Sequence, residues 1–406
     1  MKFKVKKYYE FLFCLLIFFL PLEGEFRAVP NIILIGLTPL FFLTLKKPHL
    51  KAFTNRIFLL LLFFLVYTVW NLFLNDSLIN NLFIVKKLLL IFILYIFYIP
   101  LNIDDKIKVS FILGALLSIL ISFYFIVLYI IQVGEFSFSV GDVVGEVLLT
   151  ERVYLALASV ISFVFSLDLI TRATKRNKII LITNITIIVL FILLISARMA
   201  LLSLLLIGLY NLLFLKKFKL VVLGFILGGL FLSIAFILNE NLQNRFFYKN
   251  KEATFVENFK KWEPRVEIWQ CVFALYGENT MRTRLFGYGS FKTTQEKLLS
   301  CYSESIDDPT KKKWFLKIQY NTHNQFFDFL LALGTFGVIL FLTPILLLIY
   351  KCRSNRINIS LLMAFLMVCL VENCLHRQIG VYLFGLLLIT VTRSIKEINM
   401  NDGING

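Results

Sequence analysis

Charged residues are scarce in this sequence, and their scarcity excludes an ordinary soluble fold. Only 17% of the 406 residues are Asp, Glu, Lys or Arg, whereas 59% are hydrophobic. A soluble chain of this length needs far more polar surface to cover its core. Apolar runs of about 17–25 residues recur instead, the length that crosses a hydrocarbon layer roughly 30 Å thick. The composition therefore predicts an all-α, polytopic membrane protein.

Several motifs are also absent. The six cysteines form no CxxC pair and no Cys/His spacing typical of a zinc site. The sequence has no GxxxxGK[ST] motif, which argues against an ATP-driven pump. The two halves of the chain do not repeat one another, as those of many transporters do. The sequence therefore predicts neither a structural zinc site nor a pump, and none of its motifs indicates a cofactor.

Twelve apolar runs define the predicted membrane spans. The first is followed by no small-residue cleavage site, so we expect a retained helix rather than a removed signal peptide. The spans are 9–21, 31–45, 57–74, 84–100, 109–133, 152–170, 178–196, 199–215, 219–238, 326–350, 358–374 and 378–394. Residues 1–238 then hold helices 1–9, residues 239–325 form a large loop with short helices, and residues 326–406 hold helices 10–12 and a short tail.

The positions of lysine and arginine orient these spans. One side of the membrane holds 22 of the 42, namely Lys2, Lys4, Lys6, Lys7, Lys46, Lys47, Lys51, Arg56, Lys106, Lys108, Arg172, Lys175, Arg176, Lys178, Lys216, Lys217, Lys219, Lys351, Arg353, Arg356, Arg393 and Lys396. The other side holds only Arg27, Lys86, Lys87, Arg152, Arg198 and Arg377 outside the large loop. Because positive residues collect in cytoplasmic loops, we predict cytoplasmic termini and a periplasmic loop. This placement explains the net charge of +17 without a nucleic-acid partner.

Three residues at the outer side are candidates for chemistry. Arg198 joins two apolar runs with almost no loop, at a boundary where an arginine either snorkels or binds phosphate. Arg265 shares one face of a predicted amphipathic helix with Trp269, an interfacial anchor. His323 lies at the mouth of the next span. It is either structural or suited to accept a proton near neutral pH.

Three segments of the sequence form a recognisable set. They are Ser196-Ala197-Arg198; Arg265 to Trp269 followed by Leu285-Phe286-Gly287-Tyr288-Gly289; and Thr322-His323-Asn324-Gln325 followed by Leu333-Gly334-Thr335-Phe336-Gly337. Together they resemble the O-antigen ligase/polymerase superfamily. The resemblance rests on their order, their side of the membrane and the long loop between the last two.

The resemblance implies a metal-independent, inverting glycosyltransferase of the bacterial inner membrane. It would move a glycan from an undecaprenyl-pyrophosphate carrier to an acceptor hydroxyl at the periplasmic face. Arg198 and Arg265 would bind the pyrophosphate, and His323 would be the essential histidine. Ligation of O-antigen to lipid A–core is the favoured reaction. Two other reactions of the same superfamily are also compatible with these residues, polymerisation of the glycan and ligation to a protein acceptor. The alternative from a different class of protein is a polysaccharide or lipid transporter.

Other residues are weaker candidates for substrate binding. Lys86, Lys87 and Arg377 could bind phosphate or acceptor anions, with Glu372 as a salt-bridge partner of one of them. Asn324 and Trp269 flank the main candidates and could also contact substrate. The alternative is that these four ionisable residues, Lys86, Lys87, Arg377 and Glu372, only form ion pairs at the outer side of the membrane.

The large loop also contains a pair of cysteines and a pair of aspartates. Cys271 and Cys301 could form a disulfide if the loop faces an oxidising compartment, or they could remain free thiols. Asp307 and Asp308 come nearest to the carboxylate pair of a metal-dependent transferase, but they lie in a stretch typical of a solvated loop. We reject them as a metal site.

Overall fold

The computed structural model describes residues 2–134, 147–216, 219 and 263–402, which are helical and contain no strand. The helices are α1 (Lys2–Phe19), α2 (Ala28–Thr44), α3 (Arg56–Leu74), α4 (Leu82–Tyr98), α5 (Asp104–Val133), α6 (Arg152–Ile170), α7 (Lys175–Leu194), α8 (Arg198–Phe214), α9 (Pro264–Glu278), α10 (Met281–Phe286), α11 (Phe291–Ser305), α12 (Pro309–Ile318), α13 (Gln325–Cys352), α14 (Arg356–Cys369) and α15 (Gln378–Asp402). Short 3-10 turns cover Leu20–Leu22, Lys47–Thr54, Ile79–Asn81 and Cys374–His376.

Eleven of the twelve predicted spans fall on a helix of this set. The twelfth, 219–238, lies outside the described residues apart from residue 219, and so does the predicted boundary before residue 239. In the described part of the chain, six helices are long and apolar enough to cross a membrane, namely α3 to α7 and α13. The pair formed by α2 and the following 3-10 turn would be a seventh, bent by 118°. These helices make the chain a membrane protein, and the number twelve stays a prediction.

Helix α6 lies at the centre of the bundle. In the most apolar stretch of α6, 67% of the residues are buried inside the protein, whereas the corresponding share in α7 is 28%. It packs against α5, α7 and α14. Asn184 of α7 donates to the hydroxyls of Ser162 and Ser166 at 3.3 and 3.0 Å, the kind of internal contact that polar groups need in hydrocarbon. These bonds tie the second half of α6 to α7.

Helices α9 to α12 have a small apolar core of their own. It contains Ile268, Val272, Leu298, Tyr302 and Phe315, and it rests on Leu331 of α13. Pro264 is the first residue of α9. The buried Ile268 and Val272 follow Arg265 at i+3 and i+7, which places them on the same side of the helix. A disulfide joins Cys271 of α9 to Cys301 of α11, which decides between the two alternatives for these cysteines.

Removing this disulfide is expected to loosen the loop helices. The change Cys271→Ser with Cys301→Ser should cost about 3 kcal/mol, because a cross-link over 30 residues restricts the unfolded chain. Limited proteolysis of the purified protein should show faster cleavage between α9 and α12. Cys14→Ser, which removes a free cysteine of α1, is the control. Equal cleavage in all three proteins would contradict the expectation.

The two glycine-containing segments, residues 285–289 and 333–337, come together through backbone contacts. The amides of Tyr288 and Gly289 donate to the carbonyls of Leu331 and Ala332 at 2.8 and 2.9 Å. Gly334 has a φ of 74°, which interrupts α13 and leaves these carbonyls available. A Cβ on Gly287 would lie 2.5 Å from the Ala332 carbonyl oxygen, so no larger residue fits. The loop is thus anchored to α13 close to His323.

Candidate active site

Three arginines converge at the beginnings of three helices. Arg152 and Arg198 are the first residues of α6 and α8, and Arg265 is the second residue of α9. All three line one cavity of about 480 Å³. Because the N-terminus of a helix carries partial positive charge, the arginines and the helix ends add to the same electropositive field. The cavity is therefore suited to an anion.

The turn before Arg198 explains its position. Helix α7 ends at Leu194, and Ser196, two residues later, has a φ of 50° in the left-handed region. The amides of Ser196 and Ala197 donate to the carbonyls of Leu193 and Ile192, which closes the end of α7. The chain then starts α8 at once, so Arg198 stays at the end of the bundle, as predicted from the missing loop.

Glu263 bridges two of the arginines, a contact that sequence reasoning missed. One carboxylate oxygen accepts from Arg198 Nη2 at 2.9 Å, and the other accepts from Arg265 Nη1 at 2.7 Å. The Glu263 side chain is 6% exposed. Burial raises the pKa of this carboxyl, but the Arg265 and Arg198 guanidiniums outweigh burial and hold the pKa below its usual range. Glu263 is thus an ionised residue that fixes both guanidiniums.

His323 pairs with Glu372 in the same cavity. Its Nδ1 lies 3.2 Å from Glu372 Oε2. The structure therefore pairs Glu372 with the histidine, and not with one of the outer cations as sequence reasoning had suggested. The Glu372 side chain is 15% exposed, and its second carboxylate oxygen accepts from the Asn373 amide at 3.1 Å, which fixes the carboxylate against the ring. An ionised Glu372 favours the proton on Nδ1 and leaves Nε2 of the imidazole as an acceptor.

The backbone at His323 is strained and firmly held. Its φ of 43° lies in the left-handed region, and its amide donates to Asn321 Oδ1 at 2.9 Å. Trp269 Nε1 donates to the Thr322 carbonyl at 3.2 Å. Asn324 caps α13 by accepting from the amides of Phe326 and Phe327. Trp269 and Asn324 do not line the cavity, so the structure gives them contacts that position His323.

One short turn, residues 370–373, contacts Arg265, His323 and Asn324. The Leu370 carbonyl accepts from Asn324 Nδ2 at 3.0 Å, and the Val371 carbonyl accepts from Arg265 Nη2 at 3.1 Å. Asn373 Oδ1 accepts from the Asn324 amide at 2.8 Å. Glu372 supplies the contact to His323. The turn therefore ties the predicted histidine to one of the predicted arginines.

The remaining wall of the cavity is mostly apolar. It is formed by side chains of α6, α8 and α14, namely Val153, Ala156, Leu157, Val160, Met199, Ala200, Ser203, Ala364 and Val368. Small residues such as Ala156, Ala200 and Ala364 leave room between the three helices. The cavity thus joins a charged end to an apolar wall, which suits a ligand with an anionic head and a hydrocarbon chain.

The other predicted cations lie elsewhere. Lys87 and Arg377 line a second cavity of about 370 Å³. Arg377 pairs there with Glu151 at 3.0 Å, and the Lys87 ammonium donates to the His376 carbonyl. Glu151 lines both cavities, which makes them neighbours. Lys86 is exposed and lines neither cavity.

One of the two loop aspartates caps a helix, whereas the sequence had suggested a solvated loop. Asp308 Oδ1 accepts from the amides of Thr310 and Lys311 and so caps α12. Within the described ranges, no group of three His, Cys, Asp or Glu side chains is arranged to hold a metal ion.

The comparison with known families agrees with the resemblance. Residues 183–342 match the Wzy_C family model, which is described as O-antigen ligase. The matched part includes Arg198, Arg265 and His323, whereas Arg152, Glu372 and Arg377 lie outside it. A search of curated proteins finds no match to the chain. Residues 183–342 are therefore similar to the O-antigen ligase family.

Proposed function

We propose that this protein transfers a glycan from an undecaprenyl-pyrophosphate carrier to an acceptor hydroxyl, and that the reaction is ligation of O-antigen to lipid A–core. The observation that carries the proposal is the single cavity in which Arg198, Arg265 and His323 meet an apolar wall. The family match over residues 183–342 supports the same class of reaction.

The two ends of the cavity fit the two parts of such a donor. Guanidinium groups bind phosphate oxygens bidentately, and Arg198 and Arg265 are held ready by Glu263. The apolar side chains of α6, α8 and α14 would contact the first isoprene units of the carrier. As the bond to the sugar breaks, negative charge grows on the pyrophosphate, and fixed guanidiniums stabilise it without a metal ion.

His323 and Glu372 would act on the acceptor. The acceptor oxygen attacks the anomeric carbon from the face opposite the pyrophosphate, and its proton passes to His323 Nε2. The bond from the anomeric carbon to the pyrophosphate oxygen breaks, and the pyrophosphate leaves with the bonding electron pair. The configuration at the anomeric carbon is thereby inverted. Glu372, at 3.2 Å from Nδ1, orients the ring and stabilises the imidazolium that forms.

We place the site at the periplasmic face of the inner membrane, with both termini in the cytoplasm. The distribution of lysine and arginine supports this orientation. The Cys271–Cys301 disulfide supports it independently, because disulfides persist in oxidising compartments.

A topology reporter tests this orientation. Fusions at residue 280, between α9 and α10, are expected to be active only for a reporter that requires the periplasm. Fusions at residue 354, between α13 and α14, are the matched control and should give the opposite signal. A cytoplasmic signal at residue 280 would overturn the proposed topology.

The surface glycolipid of a deletion strain tests the proposed reaction. Without a ligase, long glycan chains should be missing from lipid A–core and should accumulate on the carrier. A single repeat attached to core in the deletion strain would indicate a polymerase instead. Unchanged chains in the absence of the gene would contradict both reactions.

A further inference from the structure

Two cysteines flank the turn that carries Glu372. Cys369 is the last residue of α14, and Cys374 is the first residue of the 3-10 turn that follows. Their sulfur atoms lie 3.1 Å apart, and both residues are fully buried. Two carbon atoms in contact are best separated by roughly 3.5–4.0 Å, and sulfur is larger than carbon. The two sulfurs are therefore closer than packing alone would place them.

Neighbouring helices hold both cysteines in position. Cys369 ends a helix that packs against α6 and α8. After Cys374, the Leu375 amide donates to Gln325 Oε1 at 2.8 Å. A Cβ on Gly380 of α15 would lie 1.9 Å from the Cys374 carbonyl oxygen, so α15 packs directly on this backbone. The approach of the two sulfurs thus follows from the packing of α14 and α15.

A hydrogen bond between the thiols gives little reason for this arrangement, because a thiol is a weak donor and sulfur a weak acceptor. The surroundings favour a covalent bond instead. The turn between the cysteines contacts α9, since the Val371 carbonyl accepts from Arg265. The same helix α9 carries Cys271, which is joined to Cys301 by a disulfide. The thiol pair therefore lies at the end of the bundle where a disulfide persists, as expected in an oxidising compartment.

We propose that Cys369 and Cys374 form a second disulfide, which fixes the turn of residues 370–373. The oxidant is the disulfide of another protein. The thiolate of one cysteine attacks this disulfide and forms a mixed disulfide, and the thiolate of the other cysteine then displaces the oxidant. The two cysteines lose two protons and two electrons, and the oxidant leaves as a dithiol. The reaction precedes the packing of α14 and α15, since both sulfurs are buried afterwards.

The new bond would close a small ring beside the candidate active site. Glu372 contacts His323 from within this ring, and the Val371 carbonyl contacts Arg265. A covalent ring restricts the backbone of the turn and so helps to keep these contacts in place. The inference rests on the proposed periplasmic placement of this end of the bundle, and not on the identity of the glycan acceptor.

Counting the free thiols of the full-length protein tests the bond. Intact cells are quenched with acid, which protonates thiols and stops exchange, and the denatured chain is labelled with N-ethylmaleimide and analysed by mass spectrometry. The disulfide between α9 and α11 uses two of the six cysteines, and the proposed bond uses two more. Two labels are therefore expected, on Cys14 and Cys352. The peptide that contains Cys369 and Cys374 should be unlabelled and lighter by two hydrogens.

The number of labels separates this inference from the proposed placement. Four labels, or a linked peptide in fewer than half of the chains, would overturn the second disulfide alone. Six labels would show that this end of the bundle faces a reducing compartment, so the periplasmic placement would fail as well. Cys369→Ala should release Cys374 and give three labels. Cys352→Ala should remove one label and leave the linked peptide intact.

Hydrogen exchange tests the effect on the turn. In Cys369→Ala the amides of residues 370–373 should exchange roughly tenfold faster than in wild type or more, because the open turn is no longer restrained by the ring. Cys352→Ala, which removes another buried cysteine, should exchange as wild type does. Should Cys369→Ala not fold, Cys374→Ala breaks the same bond. Unchanged exchange without the bond would overturn its role in fixing the turn.

Discussion

Replacing His323 by alanine is expected to reduce glycan transfer roughly 10²–10⁴-fold while the protein stays in the membrane, because positioned proton transfer contributes about that much to a rate. His323 is the residue of the cavity whose Nδ1 is paired with a buried carboxylate and whose other nitrogen remains to meet the acceptor. Transfer by purified protein, measured per mole of folded protein, gives the effect.

His49→Ala provides the control for the histidine change. His49 lies in the Lys47–Thr54 turn and accepts a hydrogen bond from the Lys46 amide, far from the cavity. Its variant should transfer glycan as wild type does. Full activity of His323→Ala would remove the proposed mechanism, even if the lipid still bound.

Replacing Arg198 or Arg265 by alanine is expected to slow transfer roughly 10²–10³-fold, the usual loss for one donor aimed at developing negative charge. The two losses should not add. Both guanidiniums share Glu263, so removing either leaves this carboxylate to neutralise the other. The double variant should therefore lose much less than the product of the single losses.

A double-mutant cycle with a neutral control measures this coupling. Arg198→Ala, Arg265→Ala, the double variant and Arg282→Ala are compared at equal amounts of membrane-inserted protein. Additive losses in the double variant would show that Glu263 does not couple the arginines. A loss below tenfold in both single variants would show that neither arginine stabilises the leaving group.

The fold was predictable where hydropathy decides it. Eleven predicted spans coincide with helices because each span is a continuous apolar run bounded by charged turns. The convergence of Arg198, Arg265 and His323 followed from placing all three at the same side of the membrane. Their order and the flanking glycine motifs supplied the resemblance.

The partners of these residues could not be predicted because they are distant in sequence. Glu263 is two residues from Arg265 but 65 from Arg198, and Glu372 is 49 residues from His323. These groups meet because α8, α9 and the turns before α13 and after α14 pack together. Arg152 gave no local signal, since an arginine before an apolar run is also typical of a helix end.

Two adjacent lysines of α4 also have surroundings that the sequence could not predict. Lys86 and Lys87 are equivalent in the sequence, but successive residues of a helix point about 100° apart. Lys87 therefore turns into the second cavity, and Lys86 remains exposed on α4. The sequence predicted the charge of both lysines and their approximate depth in the membrane. The direction of each side chain depends on how α4 packs against its neighbours.

Transfer by the purified protein tests the central claim most directly. The protein is incubated with an undecaprenyl-pyrophosphate-linked glycan and lipid A–core, and both lipids are followed with time. The account predicts that glycan leaves the carrier and appears on the acceptor with wild type and with Arg282→Gln, but not with His323→Ala. Glycan that stays on the carrier with wild type, or that moves equally fast with His323→Ala, would contradict it.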